Sequence, residues 1–173
     1  HAPDVSVRSE NSSSALAIAI GSGYRAHPNN DTINDNFYMI KQPLHVSGTP
    51  TIITKSSLLK SEVTIDAALL ATKNGWYIPL RTSGEKALSS STTADGEIFF
   101  TTFEPNLGIN SCATSSGTSR LYRVSVDDGN AVYKDTFPDV TDGDVDKSTD
   151  CSTATCGDDD RFVEVEGASI LST

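Results

Sequence analysis

The residues with the clearest capacity for chemistry lie in an acidic stretch near the end of the chain. Asp142, Asp144 and Asp146 follow one another at positions i, i+2 and i+4. Calcium prefers carboxylate oxygens, and a tight loop with this spacing can bring three of them around one ion. The spacing therefore predicts a Ca²⁺ site at these residues. The loop departs from an EF-hand, since Lys147 replaces its glycine and Thr153 its bidentate glutamate. The alternative is an acidic surface loop that binds no ion.

Three cysteines offer a second kind of chemistry. Cys151 and Cys156 are close enough in sequence to close a small disulfide loop, which is typical of an exported protein. A zinc site is a weaker interpretation, since no histidine lies near them. Cys112 is then either a free thiol or paired outside this chain.

The sequence contains no recognisable catalytic motif. It has neither a Ser/His/Asp order nor a His-Glu-x-x-His motif, and the histidines are scattered. Gly21-Ser22-Gly23 is not a phosphate loop, because the third glycine is missing and His27-Pro28 follow where a helix should begin. We therefore expect a non-catalytic protein, and we expect His27 to face solvent or bond locally in a turn.

Two adjacent pairs of residues have both a structural and a functional interpretation. Trp76 and Tyr77 begin a strand, where such rings usually anchor a core and less often stack against a sugar. Glu85 and Lys86 follow Gly84 and are predicted to form a solvated turn pair, because an acid/base role would need a second carboxylate in the same cleft.

Composition limits the possible partners. The chain has 173 residues, 36% of them hydrophobic, which is enough for one domain with a core. Its formal net charge of −10 disfavours binding to nucleic acid. No apolar run approaches the ~18 residues of a membrane-spanning helix, so we expect no membrane insertion.

Short β-rich runs separated by glycine, asparagine, aspartate and serine predict an all-β fold of antiparallel meanders. The run at residues 98–103 contains adjacent Phe99 and Phe100 and is predicted to be a central strand buried on both faces. Only the irregular segment at about residues 51–71 has a partly helical pattern, and we expect one or two short helical turns there.

Three segments in order resemble the PilC/PilY family of type IV pilus tip adhesins and assembly factors. They are residues 21–28 (GSGYRAHP, with DNFYMI at 35–40), 75–86 (GWYIPLRTSGEK) and 96–129 (GEIFFTTFEP to SRLYRVSVDDG), and the match covers about residues 16–129. The resemblance implies that family's C-terminal β-propeller. The family's calcium loop lies upstream of this match, so it does not transfer to Asp142, Asp144 and Asp146.

The resemblance also implies an organisation and a function. Residues 1–173 would form a single partial β-propeller domain, with an insert at about 51–71 and an acidic, cysteine-bearing loop at about 139–160. At ~40–45 residues per blade we expect about four blades of a larger propeller.

The implied function is non-catalytic pilus-tip adhesion or type IV pilus biogenesis at the cell surface or outside the cell. Expected partners are pilus components such as minor pilins, a host or surface receptor, and the rest of the propeller. The alternative is a fragment of a propeller enzyme such as a quinone-dependent dehydrogenase, an analogy of fold alone.

Overall fold

The computed structural model describes residues 2–10, 13–44, 52–62, 65–105, 117–134, 149–151 and 156–166. These residues form an all-β fold of antiparallel, propeller-like sheets, as the sequence predicts. Within them, no helix is long and apolar enough to cross a membrane.

The first sheet contains the N-terminal strands in the order β1-β2-β3-β5-β4. Its strands are β1 (Asp4–Glu10), β2 (Ser13–Gly21), β3 (Asn36–Pro43), β4 (Leu59–Lys60) and β5 (Gly75–Pro79). All pairs are antiparallel except the short β4–β5 pair.

The second sheet has the order β12-β9-β8-β6, and β7 also pairs with β8. Its strands are β6 (Lys86–Ala87), β7 (Thr92–Ala94), β8 (Glu97–Glu104), β9 (Thr118–Ser125) and β12 (Phe162–Glu166). A separate two-stranded ribbon joins β10 (Tyr133–Lys134) to β11 (Thr149–Asp150).

Helix is confined mostly to the predicted insert. A 3₁₀ turn at Lys55–Ser57 and the short helix α1 (Ala67–Ala71) lie there, and a second 3₁₀ turn at Asp158–Arg161 lies outside it. Asp66 caps α1 by accepting hydrogen bonds from the backbone N–H groups of Ala68 and Leu69. The helix is short because β-branched residues precede it and a lysine-asparagine-glycine turn follows.

The expectation of about four blades is wrong for the described residues, which form two large sheets and one small ribbon. A regular spacing of ~40–45 residues per blade does not apply here. The described residues between β3 and β5 add only the two-residue strand β4, which pairs within the same sheet.

The hydrophobic core lies between the two sheets. Phe37 from the first sheet stacks on Phe100 from the second with ring centroids 3.7 Å apart, and Phe100 stacks on Tyr122 at 4.5 Å. Trp76 is completely buried beside them, and its indole N–H donates to the Val126 carbonyl at 3.1 Å. Trp76 is therefore a core anchor, and its ring is not available to stack on a sugar.

Strand β8 is central, as predicted, but it is not buried on both faces. Ile98, Phe100 and Thr102 are buried, whereas the residues between them are only half-buried. The outer face is partly covered by Arg123, whose guanidinium lies 5.7 Å from the Phe99 ring. Two adjacent phenylalanines thus have different environments, because successive side chains of a strand point to opposite faces.

Two glycines are required by close packing between elements. A Cβ atom on Gly21, at the end of β2, would lie 2.2 Å from the Cβ of Ala87 in β6. Gly129 has a φ of +72°, and a Cβ there would lie 2.7 Å from the Trp76 ring. The glycine turn after β2 is therefore a contact between the two sheets, which agrees with its interpretation as a strand end rather than a phosphate loop.

The predicted disulfide is confirmed. Cys151 and Cys156 are bonded, with their Cα atoms 5.6 Å apart. Cys112 lies outside the described residues, so both interpretations of it stay open.

Candidate functional site

Glu85 is completely buried, so the prediction of a solvated turn pair is wrong. Its carboxylate accepts hydrogen bonds from the Arg81 backbone N–H at 2.7 Å, the Thr102 hydroxyl at 2.5 Å and the Tyr122 hydroxyl at 3.1 Å. The chain turns at Gly84 and returns into the space between the sheets, which places the carboxylate inside the protein. A buried charge is stable only when it is paired and hydrogen-bonded, and this one is both.

Arg120, from β9, provides the opposite charge. Its guanidinium lies 3.3 Å from the Glu85 carboxylate, 2.7 Å from that of Glu104 and 2.9 Å from that of Glu164. Burial alone would lower the pKa of Arg120, but the three carboxylates outweigh it and raise that pKa above its usual range. The cluster therefore joins strands β8, β9 and β12 to the turn before β6.

The hydroxyl of Tyr122 is held neutral by the same cluster. Burial, together with the neighbouring Glu85 carboxylate, raises the pKa of Tyr122 well above its ordinary value of 10.0. The phenol thus remains a hydrogen-bond donor throughout the physiological pH range, as a structural rather than a catalytic group.

Lys86 is also buried, with 1% of its surface exposed. Its ammonium donates to the Gly84 carbonyl at 2.6 Å and to the Asn30 carbonyl. Burial lowers the pKa of Lys86, and the carboxylates of Asp35 and Asp31 oppose that shift. Lys86 thus ties the loop of residues 29–36 to the second sheet.

Further hydrogen bonds fix the same loop. The Ser83 hydroxyl donates to the Asp31 carbonyl at 2.5 Å, and the Gly84 N–H donates to the Ile33 carbonyl at 3.0 Å. At the end of the loop, the Ser22 hydroxyl donates to the Asp35 carboxylate at 2.7 Å. Most of residues 29–34 are exposed, and the hydrogen bonds from Lys86, Ser83 and Gly84 hold the loop in place. His27, just before it, is exposed, as predicted, and its backbone N–H donates to the Tyr24 carbonyl at 3.1 Å.

A cleft of about 470 Å³ opens between the two sheets at the end of this buried cluster. One wall comes from β4, β5 and the residues after each, and the other from the second 3₁₀ turn and the start of β12. The polar side chains that line it are Lys60, Ser61, Glu62, Arg81, Tyr122, Asp158, Asp159 and Arg161. We call this the inter-sheet cleft.

Arg161 lines the inter-sheet cleft and is 4% exposed. Its guanidinium donates to the Ser61 hydroxyl at 3.0 Å and the Asn130 side-chain oxygen at 2.8 Å, and it pairs with Asp158 at 2.8 Å. Burial lowers the pKa of Arg161, against the opposing effect of Asp158 and Asp128. Among the described residues, none accepts a hydrogen bond from the buried Nε–H of Arg161.

Sequence reasoning identified neither the buried cluster around Glu85 nor the residues that line the inter-sheet cleft. Glu85 and Arg161 each stand beside turn or acidic residues, a context that is typical of solvated surface. An available signal was Arg120, which with Arg123 is one of two charged residues inside the β-rich run from residue 119 to 126. A cation two residues from Tyr122, on the same face of a strand, indicates a buried partner, but the partner itself is far away in sequence.

The predicted calcium ligands Asp142, Asp144 and Asp146 lie outside the described residues, so the calcium site stays a prediction. Within the described ranges, no three histidine, cysteine or acidic side chains are grouped so as to hold a metal ion.

Comparison with known proteins identifies the fold. The chain is similar to the crystal structure of the Pseudomonas aeruginosa PilY1 C-terminal domain, with a TM-score of 0.60 and 15% sequence identity. The match covers 83% of this chain and 34% of that chain, so this chain spans about a third of that domain. No protein family model matches the sequence, and no curated protein matches it. The resemblance to the PilC/PilY family is thereby confirmed at the level of the fold.

Proposed function

We propose that this chain is a non-catalytic module of a type IV pilus-associated protein, which acts in surface adhesion or pilus assembly outside the cell or at its surface. The observation that carries the proposal is the similarity of its fold to the PilY1 C-terminal domain over 83% of the chain. The three ordered sequence segments that resemble the same family support it from an independent direction. Identity of 15% limits that similarity to the fold, so the function requires its own test.

The described architecture suits a binding module. Recognition by loops is efficient when the loops are ordered before the partner arrives, since less conformational entropy is then lost on binding. The loop of residues 29–36 meets this condition, because Lys86, Ser83 and Gly84 hold its backbone while most of its side chains stay exposed. Partners in this proposal are pilus components such as minor pilins, or a receptor on a host or other surface.

The buried charges are better explained by structure than by catalysis. Glu85 and Tyr122 have the residue types of an acid/base pair, but both side chains are buried and they are hydrogen-bonded to each other. A general acid or base must come within hydrogen-bond reach of a substrate. We therefore assign the cluster to holding the sheets together, and the module to binding.

Calcium remains part of the proposal. Binding at Asp142, Asp144 and Asp146 would stabilise the folded chain by mass action. Calorimetric titration with CaCl₂ tests this, with Asp144→Asn as the variant that should weaken binding. A titration that shows no heat of binding, together with an unchanged melting temperature at millimolar calcium, would contradict it.

The pilus function is tested by deleting the gene for the parent protein in its native host. We expect fewer surface pili, or normal pili with reduced attachment and twitching. Complementation with the intact gene should restore the phenotype, and a copy that carries Lys86→Met, which releases the anchored loop, should restore it only in part. Normal piliation, attachment and twitching after deletion would refute the proposal and favour the propeller-enzyme alternative.

A further inference from the structure

We propose that the outer face of the first sheet is an interface that packs against another β-sheet of the same parent protein. This deepens the proposed function and rests on it, because it takes from it the premise that the chain is a module of a longer protein. Three features of that face support the interface: the size of its side chains, their lack of charge and an exposed strand at its edge.

Strand β2 directs its larger side chains away from the core between the two sheets. Ala17 and Ala19 point into that core and are buried. Leu16, Ile18 and Ile20 alternate with them, so they point to the opposite face, where they are half-buried. If that face met only water, the larger residues would be expected on the core side, since burying them removes more apolar surface from water. A strand that is apolar at every position is typical of burial on both faces.

The neighbouring strands extend this apolar surface. Val7 of β1 lies opposite Leu16, and Val5 lies opposite Ile18. On the other side of β2, Ile18 lies opposite Ile40 of β3. Directly opposite residues of paired strands share one face of the sheet. We call this surface the outer apolar face, and its residues are Val5, Val7, Leu16, Ile18, Ile20 and Ile40.

All six residues of the outer apolar face are uncharged, although the chain has a formal net charge of −10. Arg8, next to Val7, points to the other face of the sheet and pairs with Asp127 at 2.5 Å. The outer face of the second sheet is different, because Arg123 and Glu97 form an ion pair on it at 2.6 Å. A partner for the outer apolar face must therefore present an apolar surface, since a charge buried against it would have no counter-charge.

The β1 end of the outer apolar face is open. β1 is the edge strand of the first sheet, and its Val5 and Val7 are 52% and 68% exposed. At the opposite end of the same face, the Lys55 ammonium lies over the Tyr77 ring, 4.4 Å from its centroid. A contiguous apolar surface that reaches an exposed edge strand indicates a site of association.

A sheet fits this surface better than a single peptide strand. Val7, Ile18 and Ile40 lie on three successive strands, and a peptide added at the β1 edge would leave β2 and β3 uncovered. Two sheets packed face to face bury side chains from several strands at once. The match to the PilY1 C-terminal domain covers 34% of that chain, and a propeller repeats its sheets around a central axis. The proposed occupant is therefore a further sheet of the parent protein.

The test is thiol labelling of the full parent protein, purified without detergent. Val7→Cys places a thiol on the outer apolar face, and the matched control is Ile33→Cys, in the exposed part of the loop of residues 29–36. N-ethylmaleimide labels both, and mass spectrometry of the peptide that carries each position separates it from the other cysteines. From this chain alone Val7→Cys would react faster, because Val7 is 68% and Ile33 46% exposed. We expect it instead to react at least about tenfold more slowly, since a covered thiol reacts only when the interface opens.

Cross-linking identifies the occupant. A photoreactive benzophenone amino acid replaces Val5 in the same parent protein, and cross-linked peptides are mapped by mass spectrometry. We expect a cross-link within one molecule to a segment that lies outside residues 1–173. Equal labelling rates for the two cysteine variants would overturn the interface. A cross-linked dimer, cross-links confined to residues 1–173, or no cross-link at all would each overturn the proposed occupant.

The interface and the pilus function can fail separately. Slow labelling of Val7→Cys and the expected cross-link, beside normal pili and attachment after gene deletion, would keep the interface and refute the pilus function. Labelling of Val7→Cys as fast as Ile33→Cys, beside a loss of pili or attachment, would overturn the interface and keep the pilus function.

Discussion

Replacing Glu85 by alanine is the sharpest test of the buried cluster. The substitution removes a completely buried carboxylate and leaves the Thr102 and Tyr122 hydroxyls and the Arg81 N–H without their acceptor. Breaking a buried ion pair from one side typically costs about 3–5 kcal/mol. Arg120 keeps Glu104 and Glu164 as partners, which limits the cost on its side. We therefore expect a loss of about 3–5 kcal/mol, a large part of a typical domain's stability.

Two further variants isolate the cause. Glu85→Gln keeps the shape, and the hydroxyls of Thr102 and Tyr122 can rotate to accept from its amide, so mainly the charge facing Arg120 is lost. A cost of about 1.5–3 kcal/mol is expected. Glu62→Ala is the control, since that glutamate is exposed and pairs only at the surface with Lys60. Its cost should stay below about 0.5 kcal/mol.

Urea unfolding measures these differences. Trp76 is the only tryptophan and is completely buried, so its fluorescence reports the loss of the core. Circular dichroism should give the same midpoint if unfolding is two-state, and the slope with urea should not change between variants. A cost below about 1 kcal/mol for Glu85→Ala would show that the carboxylate is solvated, as the sequence suggested, and would refute the buried cluster.

Three other outcomes follow from the structure. Phe100→Ala should cost about 3–5 kcal/mol and Phe99→Ala only about 1 kcal/mol in the same assay, and equal costs would contradict the one-sided burial of β8. Tyr122→Phe should reduce the loss of stability above pH 10. A raised folded pKa keeps the proton on Tyr122 while the unfolded chain releases it, so this group lowers the unfolding free energy by up to about 1.4 kcal/mol per pH unit, and Tyr38, whose pKa burial also raises, keeps its own share. Identical slopes against pH would refute this. Reducing the Cys151–Cys156 bond should cost less than the ~3 kcal/mol of a 15-residue loop, because the loop is short, and a larger loss on reduction would contradict it.

Local patterns identified most of the strands. Residues 5–7, 15–20, 37–41 and 161–166 are among the short runs whose pattern is typical of strands, and β1, β2, β3 and β12 lie there. Alternation of side chains and turn residues depends on neighbours in sequence, so it can be read without the fold. The same holds for the disulfide between Cys151 and Cys156, whose partners are close in the chain.

Prediction of the number of sheets was less successful. The spacing rule for blades assumes that each connection is short, and the long connection between β3 and β5 does not satisfy it. The prediction that β8 is buried on both faces was also wrong, because Phe99 and Phe100 are equally apolar and their sequence does not show that only one of them faces the core. That choice depends on Phe37, which comes from the other sheet and stacks on Phe100 at 3.7 Å.

The sequence by itself determined an all-β chain of antiparallel strands, the core role of Trp76 and a resemblance in three ordered segments to one family. Only the tertiary structure decided the environment of the charged residues. Glu85 looks like a surface residue beside Gly84, and it is buried because Arg120, distant in sequence, lies opposite it. Arg161 and Ser61 likewise meet across the inter-sheet cleft. Local propensity reflects contacts between near neighbours, whereas the burial of a charge depends on partners that only the folded chain brings together.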